Sequence, residues 1–199
     1  MYLIILSLLN ILVVFFLILN SKKIGNHFSI NDKPKKTSIH KRTVPLTGGI
    51  ILIFPVLSFF YFEYVNNNLF FREFLGLMLI SSSFFLIGFF DDRHNLFATT
   101  RIFLTLFSII FFFLITHPIF FFEEIYLISL DKKINLGFLF LILMGLIIIS
   151  LQNALNLIDG INCLLKLFSV FVFISLVFLS DSRLLNSYLF LIIIPLLIM

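Results

Sequence analysis

Tryptophan is absent from the 199-residue chain, and cysteine occurs once, as Cys163. A single thiol excludes an intrachain disulfide and any metal cluster built from cysteines. Charge is also scarce: Asp, Glu, Lys and Arg make up 12% of the residues, against about 25% in ordinary soluble domains. What fills the chain is apolar, 61% of it, with a mean hydropathy of +1.17. That combination excludes a soluble globular composition. The thirty phenylalanines read as coding bias or lipid-facing bulk and carry no function.

The apolar residues come in long uncharged runs. Residues 1–21, 43–62, 74–90, 102–122 and 134–158 each approach the ~20 residues needed to cross ~30 Å of hydrocarbon. A sixth run, 167–180, extends back to Asn162 if Lys166 snorkels. Residues 184–199 make a seventh, and 16 helical residues span only ~24 Å, so it reads as incomplete. The expected architecture is an all-α polytopic membrane protein, one membrane domain over 1–199 with about seven transmembrane helices. The first run has no basic flank before it and no small-residue cleavage site, and so reads as a membrane helix.

Loop charge sets the expected orientation. The odd-numbered loops, 22–42, 91–101 and 153–166, hold ten Lys/Arg and four acids, whereas the even ones hold four Lys/Arg and six acids. The positive-inside rule places the odd loops in the cytoplasm, at about 21–45, 91–101 and 153–163, and the N-terminus outside. The second outside loop, around 125–136, reads equally as a short hairpin or an irregular connector.

Three segments on that cytoplasmic face carry chemistry. The first runs from Asp32 through Lys35, Lys36, His40, Lys41 and Arg42 to Pro45-Leu-Thr-Gly-Gly49. It offers a positive field, and glycines that let backbone amides approach an anion. Taken alone, it is also what an ordinary topology-setting loop near anionic lipid looks like. The second is Gly88-Phe-Phe-Asp91-Asp92-Arg93-His94. Adjacent carboxylates repel unless a cation lies between them, and the helix dipole disfavours them at a C-terminus. Mg²⁺ is the natural occupant, since it takes a few carboxylate oxygens together with phosphate and water. In the third, Asn153-Ala-Leu-Asn156-Leu-Ile-Asp159-Gly160, the polar residues recur at i,i+3 and share one helical face. Asp91, Asp92 and Asp159 are expected to converge on one metal site.

In order and at suitable separations, these boxes resemble the polyprenyl-phosphate N-acetylhexosamine-1-phosphate transferases, which belong to glycosyltransferase family 4. This membrane family includes phospho-MurNAc-pentapeptide translocase and undecaprenyl-phosphate GlcNAc-1-phosphate transferases. The resemblance covers about Asp32 to Asn162. Pro45-Leu-Thr-Gly-Gly49 and Asn162 look like the simple-sugar branch more than the peptidoglycan branch. Departures are Cys163, where the family has Gly, and Lys36-Thr-Ser-Ile-His40, where Arg-Ser-Ser-His is common.

The resemblance implies transfer of N-acetylhexosamine-1-phosphate from a UDP-sugar to undecaprenyl phosphate in the bacterial inner membrane. UMP would leave, and O-antigen, capsule or a related glycan would begin. It implies Mg²⁺, with Mn²⁺ as a substitute, at Asp91, Asp92 and Asp159. Lys35, Lys36, His40, Lys41, Arg42, Asn153 and Asn156 would hold the substrates. The partners implied are those two substrates and the lipid bilayer, with no nucleic acid; homo-oligomerisation stays open.

The family's later Asp-containing box and His-rich loop have no counterpart before Met199. The chain is therefore expected to be the N-terminal part of a longer transferase and not to turn over alone. An inactive fragment of the family and an ion-coupled transporter are the alternatives, and acids at helix ends argue against the transporter.

The orientation is testable by cysteine labelling in a Cys163→Ser background. A Lys36→Cys variant should resist impermeant thiol reagents in intact cells and react after permeabilisation. Labelling from outside would invert the topology.

Overall fold

Hydrocarbon offers the backbone no hydrogen-bond partners, so each crossing segment must close its bonds on itself as a helix. The computed structural model describes residues 2–32, 43–66, 68–116, 124–127, 132–159, 171–172 and 174–175. Its helices are α1 (Tyr2–Leu19), α2 (Ser21–Phe28), α3 (Gly48–Val65), α4 (Phe71–His94), α5 (Ala98–Thr116) and α6 (Phe138–Asp159). Strand β1 (Asn31–Asp32) pairs antiparallel with β2 (Val44–Pro45), Asn31 opposite Pro45. Strands β3 (Glu124–Leu127) and β4 (Lys132–Asn135) form a hairpin with Leu127 opposite Lys132, the ordered alternative for the second outside loop.

Helices α3, α4 and α5 are long and apolar enough to cross a membrane, and α1 with α2 makes a fourth if the bent pair is one span. Only 11–17% of each of the three spanning windows is buried, which leaves most of each apolar surface open to lipid or further helices. The described spans therefore number three to four, fewer than the about seven expected. The fifth run is α6, whose described apolar stretch is Ile142–Gln152. Most of the sixth run and all of the seventh lie outside the described residues.

The polar ends deviate most from expectation. The loop placed at 21–45 contains α2, which leaves the preceding helix at 67°. Asp91 and Asp92, placed in a loop, lie inside α4, which runs on to His94. At 1.5 Å per residue the 24 residues of α4 reach ~36 Å, so its charged last turn clears a ~30 Å core. The α4–α5 connection is only residues 95–97.

Among the described residues, two side-chain hydrogen bonds join one helix to another beside the Asp91–Arg101 pair. Asn10 of α1, 4% exposed, donates from Nδ2 to Ser58 Oγ of α3 at 2.7 Å. The Ser58 hydroxyl in turn donates to the Pro55 carbonyl at 2.9 Å, beside the turn where proline lacks an N–H. Thr105 of α5 is fully buried and donates to Gln152 Oε1 of α6 at 2.9 Å. The apolar core sits where α5 meets α6: Ile109, Phe113 and Phe140, with Ile80 of α4 packed against them.

Gly76 sets the approach of α4 and α5. A Cβ there would overlap Thr116 Cγ2 and lie 3.2 Å from the Phe112 ring. Gly76→Ala should cost about 1–3 kcal/mol, read as a lower unfolding midpoint in detergent. Adding Thr116→Ser removes the clashing methyl and keeps the hydroxyl, so it should recover part of the loss. An unchanged midpoint in Gly76→Ala would show that the helices do not meet there.

Candidate functional site

Successive residues on a helix point about 100° apart, so neighbours do not share a face. The last turn of α4 uses this to send two adjacent carboxylates to different places. Asp91 turns toward α5. Its Oδ1 accepts the Leu96 N–H at 2.9 Å and its Oδ2 accepts the Arg101 guanidinium at 2.8 Å. Asn95 ends the helix in the left-handed region, φ 50°, and donates its N–H to the Asp91 carbonyl at 2.7 Å. Asparagine tolerates that conformation, which lets the chain reverse within three residues. Both partners of the Asp91–Arg101 pair are 24% exposed.

Asp92 turns toward α3. It lines a cleft of about 160 Å³ between the end of α4 and the start of α3, with Phe85, Gly88 and Phe89 below it and Gly49 and Ile50 opposite. Gly88 is one turn beneath Asp92 on the same face, and a Cβ there would meet nothing within 4 Å. The glycine thus widens the cleft directly under the carboxylate. Across it, the Ile51 N–H bonds to the Thr47 carbonyl, so the amides of Gly48, Gly49 and Ile50 precede the helical ladder. Thr47 makes no side-chain cap. These amides and the positive end of the α3 dipole give the cleft an anion-attracting wall facing the carboxylate. A Cβ at Gly49 would make an ordinary 3.6 Å contact with Phe85, so packing does not demand this glycine.

The pairing of Asn31 with Pro45 and of Asp32 with Val44 draws together the two ends of segment 33–42 beside this cleft. Lys35, Lys36, His40, Lys41 and Arg42 lie outside the described residues. Asn153, Asn156 and Asp159 fall in the last two turns of α6, as their spacing predicts, and their side chains lie outside the described part. The Thr105–Gln152 bond joins the first half of α5 to the second half of α6. The α6 C-terminus therefore lies at the same end of the bundle as Asp91 and Asp92. His94 is exposed and stacks on Phe90 with centroids 6.3 Å apart.

Asp91 is held by Arg101 and the turn, and Asp92 lines the cleft. Among the described residues no group of three His, Cys, Asp or Glu is close enough to hold a metal; the side chain of Asp159, the third carboxylate expected at a shared cation, lies outside them. Sequence reasoning missed Arg101 and Gly88. The Arg101 signal was an arginine one turn into the helix after a short Asn-containing connector; that of Gly88 was its position four residues before Asp92.

Comparison with known proteins bears on the same residues. The family model described as Glycosyl transferase family 4 matches residues 74–199. A phospho-N-acetylmuramoyl-pentapeptide-transferase of Acetivibrio thermocellus is 29% identical over 143 residues, which is 67% of this chain and 42% of that protein. Proteins of the same name from Bacillus thuringiensis and Bacillus cereus are 31% identical over 146 residues, 69% of this chain and 45% of theirs. The chain thus matches less than half the length of these curated relatives. No solved structure matches it.

The Asp91–Arg101 pair has a measurable consequence for stability. Asp91→Asn should lower stability by about 1 kcal/mol through loss of the ion pair, seen as a lower unfolding midpoint in detergent. Arg101→Gln should do the same, and the double variant should lose no more than either alone. Losses that add in full would contradict the pairing.

Proposed function

Because the chain belongs to glycosyl transferase family 4, we propose that the protein it forms moves a sugar-1-phosphate from a UDP-sugar to a polyprenyl phosphate at the cytoplasmic face of the bacterial inner membrane. The observation that carries this reading is the cleft where Asp92 faces the start of α3 at one end of the helix bundle. It has the makings of a phosphate site: the amides of Gly48, Gly49 and Ile50 on one wall, without a side-chain cap from Thr47, a carboxylate on the other, and an apolar floor.

The acceptor phosphate, with a second pKa near ~6, is already largely a dianion at neutral pH and needs little help from a general base. One of its oxygens forms a bond to the β-phosphorus of the donor diphosphate. The bond from that phosphorus to the bridging oxygen breaks, and UMP leaves with the electron pair. The barrier is mainly repulsion between anions, so positioning and positive charge are the catalytic means. The α3 amides, with Lys35, Lys36, His40, Lys41 and Arg42, attract and orient the phosphates. Asp92 is the proposed carboxylate of the reacting centre, joined by Asp159, with Asn153 and Asn156 positioning the donor. Asp91 acts through Arg101, fixing the turn that aims Asp92. Mg²⁺, or Mn²⁺ in its place, would neutralise the diphosphate when bound.

The donor proposed is a UDP-N-acetylhexosamine and the acceptor undecaprenyl phosphate, starting an O-antigen, capsule or related surface glycan. The Pro45-Leu-Thr-Gly-Gly49 and Asn162 positions support a simple sugar. The names of the relatives support a second donor class, one that gives up a phospho-N-acetylmuramoyl-pentapeptide group.

The test uses this chain joined to the C-terminal half of a relative, reconstituted with undecaprenyl phosphate and each UDP-linked donor. Mg²⁺-dependent UMP release should appear with at least one donor and fall at least about 100-fold in Asp92→Asn. Release that persists in Asp92→Asn would remove the cleft from the chemistry. Turnover of one donor over the other decides between the two classes.

A further inference from the structure

A second cleft on the same face is not used by the proposed transfer. It is built by α2, whose eight residues Ser-Lys-Lys-Ile-Gly-Asn-His-Phe are too polar for hydrocarbon and which leaves the α1 axis at 67°. That polarity and that bend suit a helix at the polar end of the bundle, beside the start of α3. Three contacts fix it there. Gly25 is packed so closely that a Cβ would lie 2.6 Å from Asn31 Oδ1 and 2.8 Å from Pro45 Cβ. The Ile30 N–H caps the Gly25 carbonyl at 3.0 Å after a left-handed Ser29. The Phe28 ring meets the Phe89 ring edge-on, with centroids 5.7 Å apart.

This docking leaves a cleft of about 350 Å³ lined by Lys22, Asn26, Asn31, Thr43 and Pro45. Lys22 and Asn26 are one turn apart and share a face of α2. Asn31 Nδ2 donates to Asn26 Oδ1 at 2.8 Å, which commits that oxygen and leaves the Asn26 amide hydrogens as donors. The lining thus offers an ammonium, an amide and a hydroxyl, and among the described residues it contains no carboxylate. Strand alternation sends Asp32 to the opposite side from Asn31. Among the described residues Lys22 has no ion-pair partner.

We infer that this cleft binds the phosphate of an anionic ligand, at a site distinct from the one beside Asp92. At the polar end of a membrane bundle the phosphate of an anionic lipid is the abundant source. The two clefts are separated by consecutive residues, since Pro45 lines one and Leu46 the other. A phosphate seated against Lys22 would brace α2 and the β1–β2 pair that carries the start of α3.

The test titrates the full chain in detergent with a short-chain phosphatidylglycerol, the matched phosphatidylcholine, or inorganic phosphate, and follows the unfolding midpoint. Phosphatidylglycerol should raise the midpoint where phosphatidylcholine does not. Inorganic phosphate having the same effect would support the site and assign it a soluble ligand. Lys22→Gln and Asn26→Leu should each weaken the titration at least tenfold, while Lys23→Gln, which is exposed but off the cleft, should leave it unchanged. Circular dichroism of each variant checks that the helices remain. Equal weakening by Lys22→Gln and Lys23→Gln would reduce the effect to general surface charge and overturn the site, as would a midpoint indifferent to all three ligands.

Discussion

One carboxylate holds the turn on which the candidate site depends. Asp91 accepts from Arg101 and from the Leu96 amide, and it closes the three-residue passage between α4 and α5. Each side chain of the pair is 24% exposed. That is dry enough to strengthen the attraction and wet enough to avoid the full desolvation penalty of a buried ion pair. With that turn fixed, the rotation of α4 is fixed too. Asp92, 100° further round the helix, must then face the start of α3.

The rest of the bundle follows the same economy. In a solvent without hydrogen-bond partners, a polar side chain between helices is tolerated where it finds a mate, and then it specifies which helices meet. Asn10 with Ser58 joins α1 to α3, and Thr105 with Gln152 joins α5 to α6. Close approach at Gly76 joins α4 to α5 at the end opposite the Asp91–Arg101 pair. These contacts gather the end of α1, the start of α3, the end of α4 and the end of α6 at one level. The proposed chemistry and the α2 cleft both occupy that level, so α2, the amides that begin α3 and the Asp92 carboxylate lie together at one end of the bundle.

Much of this was legible beforehand. Five of the apolar runs correspond to α1, α3, α4, α5 and α6, because length and lack of charge are local properties that hydrocarbon reads directly. The three polar boxes and their family were legible for a similar reason, since residue type and order carry them. Helix ends were less so. The run ending at Phe90 looked like the end of a span, yet α4 continues to His94, because a helix does not stop at the edge of the lipid when its next residues can still close the ladder. Segment 21–28 read as loop because its polarity excluded a span, and composition alone does not separate a loop from a surface helix.

The sequence by itself determined that the chain is membrane-embedded and helical, to which family it belongs, and at which helix ends its chemistry-bearing residues fall. Only the tertiary structure decided what adjacent residues do with their charge. Asp91 and Asp92 are indistinguishable as letters, and either could serve a metal, a phosphate or a turn. Which one meets Arg101 and which one enters the cleft depends on the phase of α4 against α3 and α5. That phase is set by contacts distant in sequence, the close approach of Gly76 to Thr116 among them, and no local pattern encodes it.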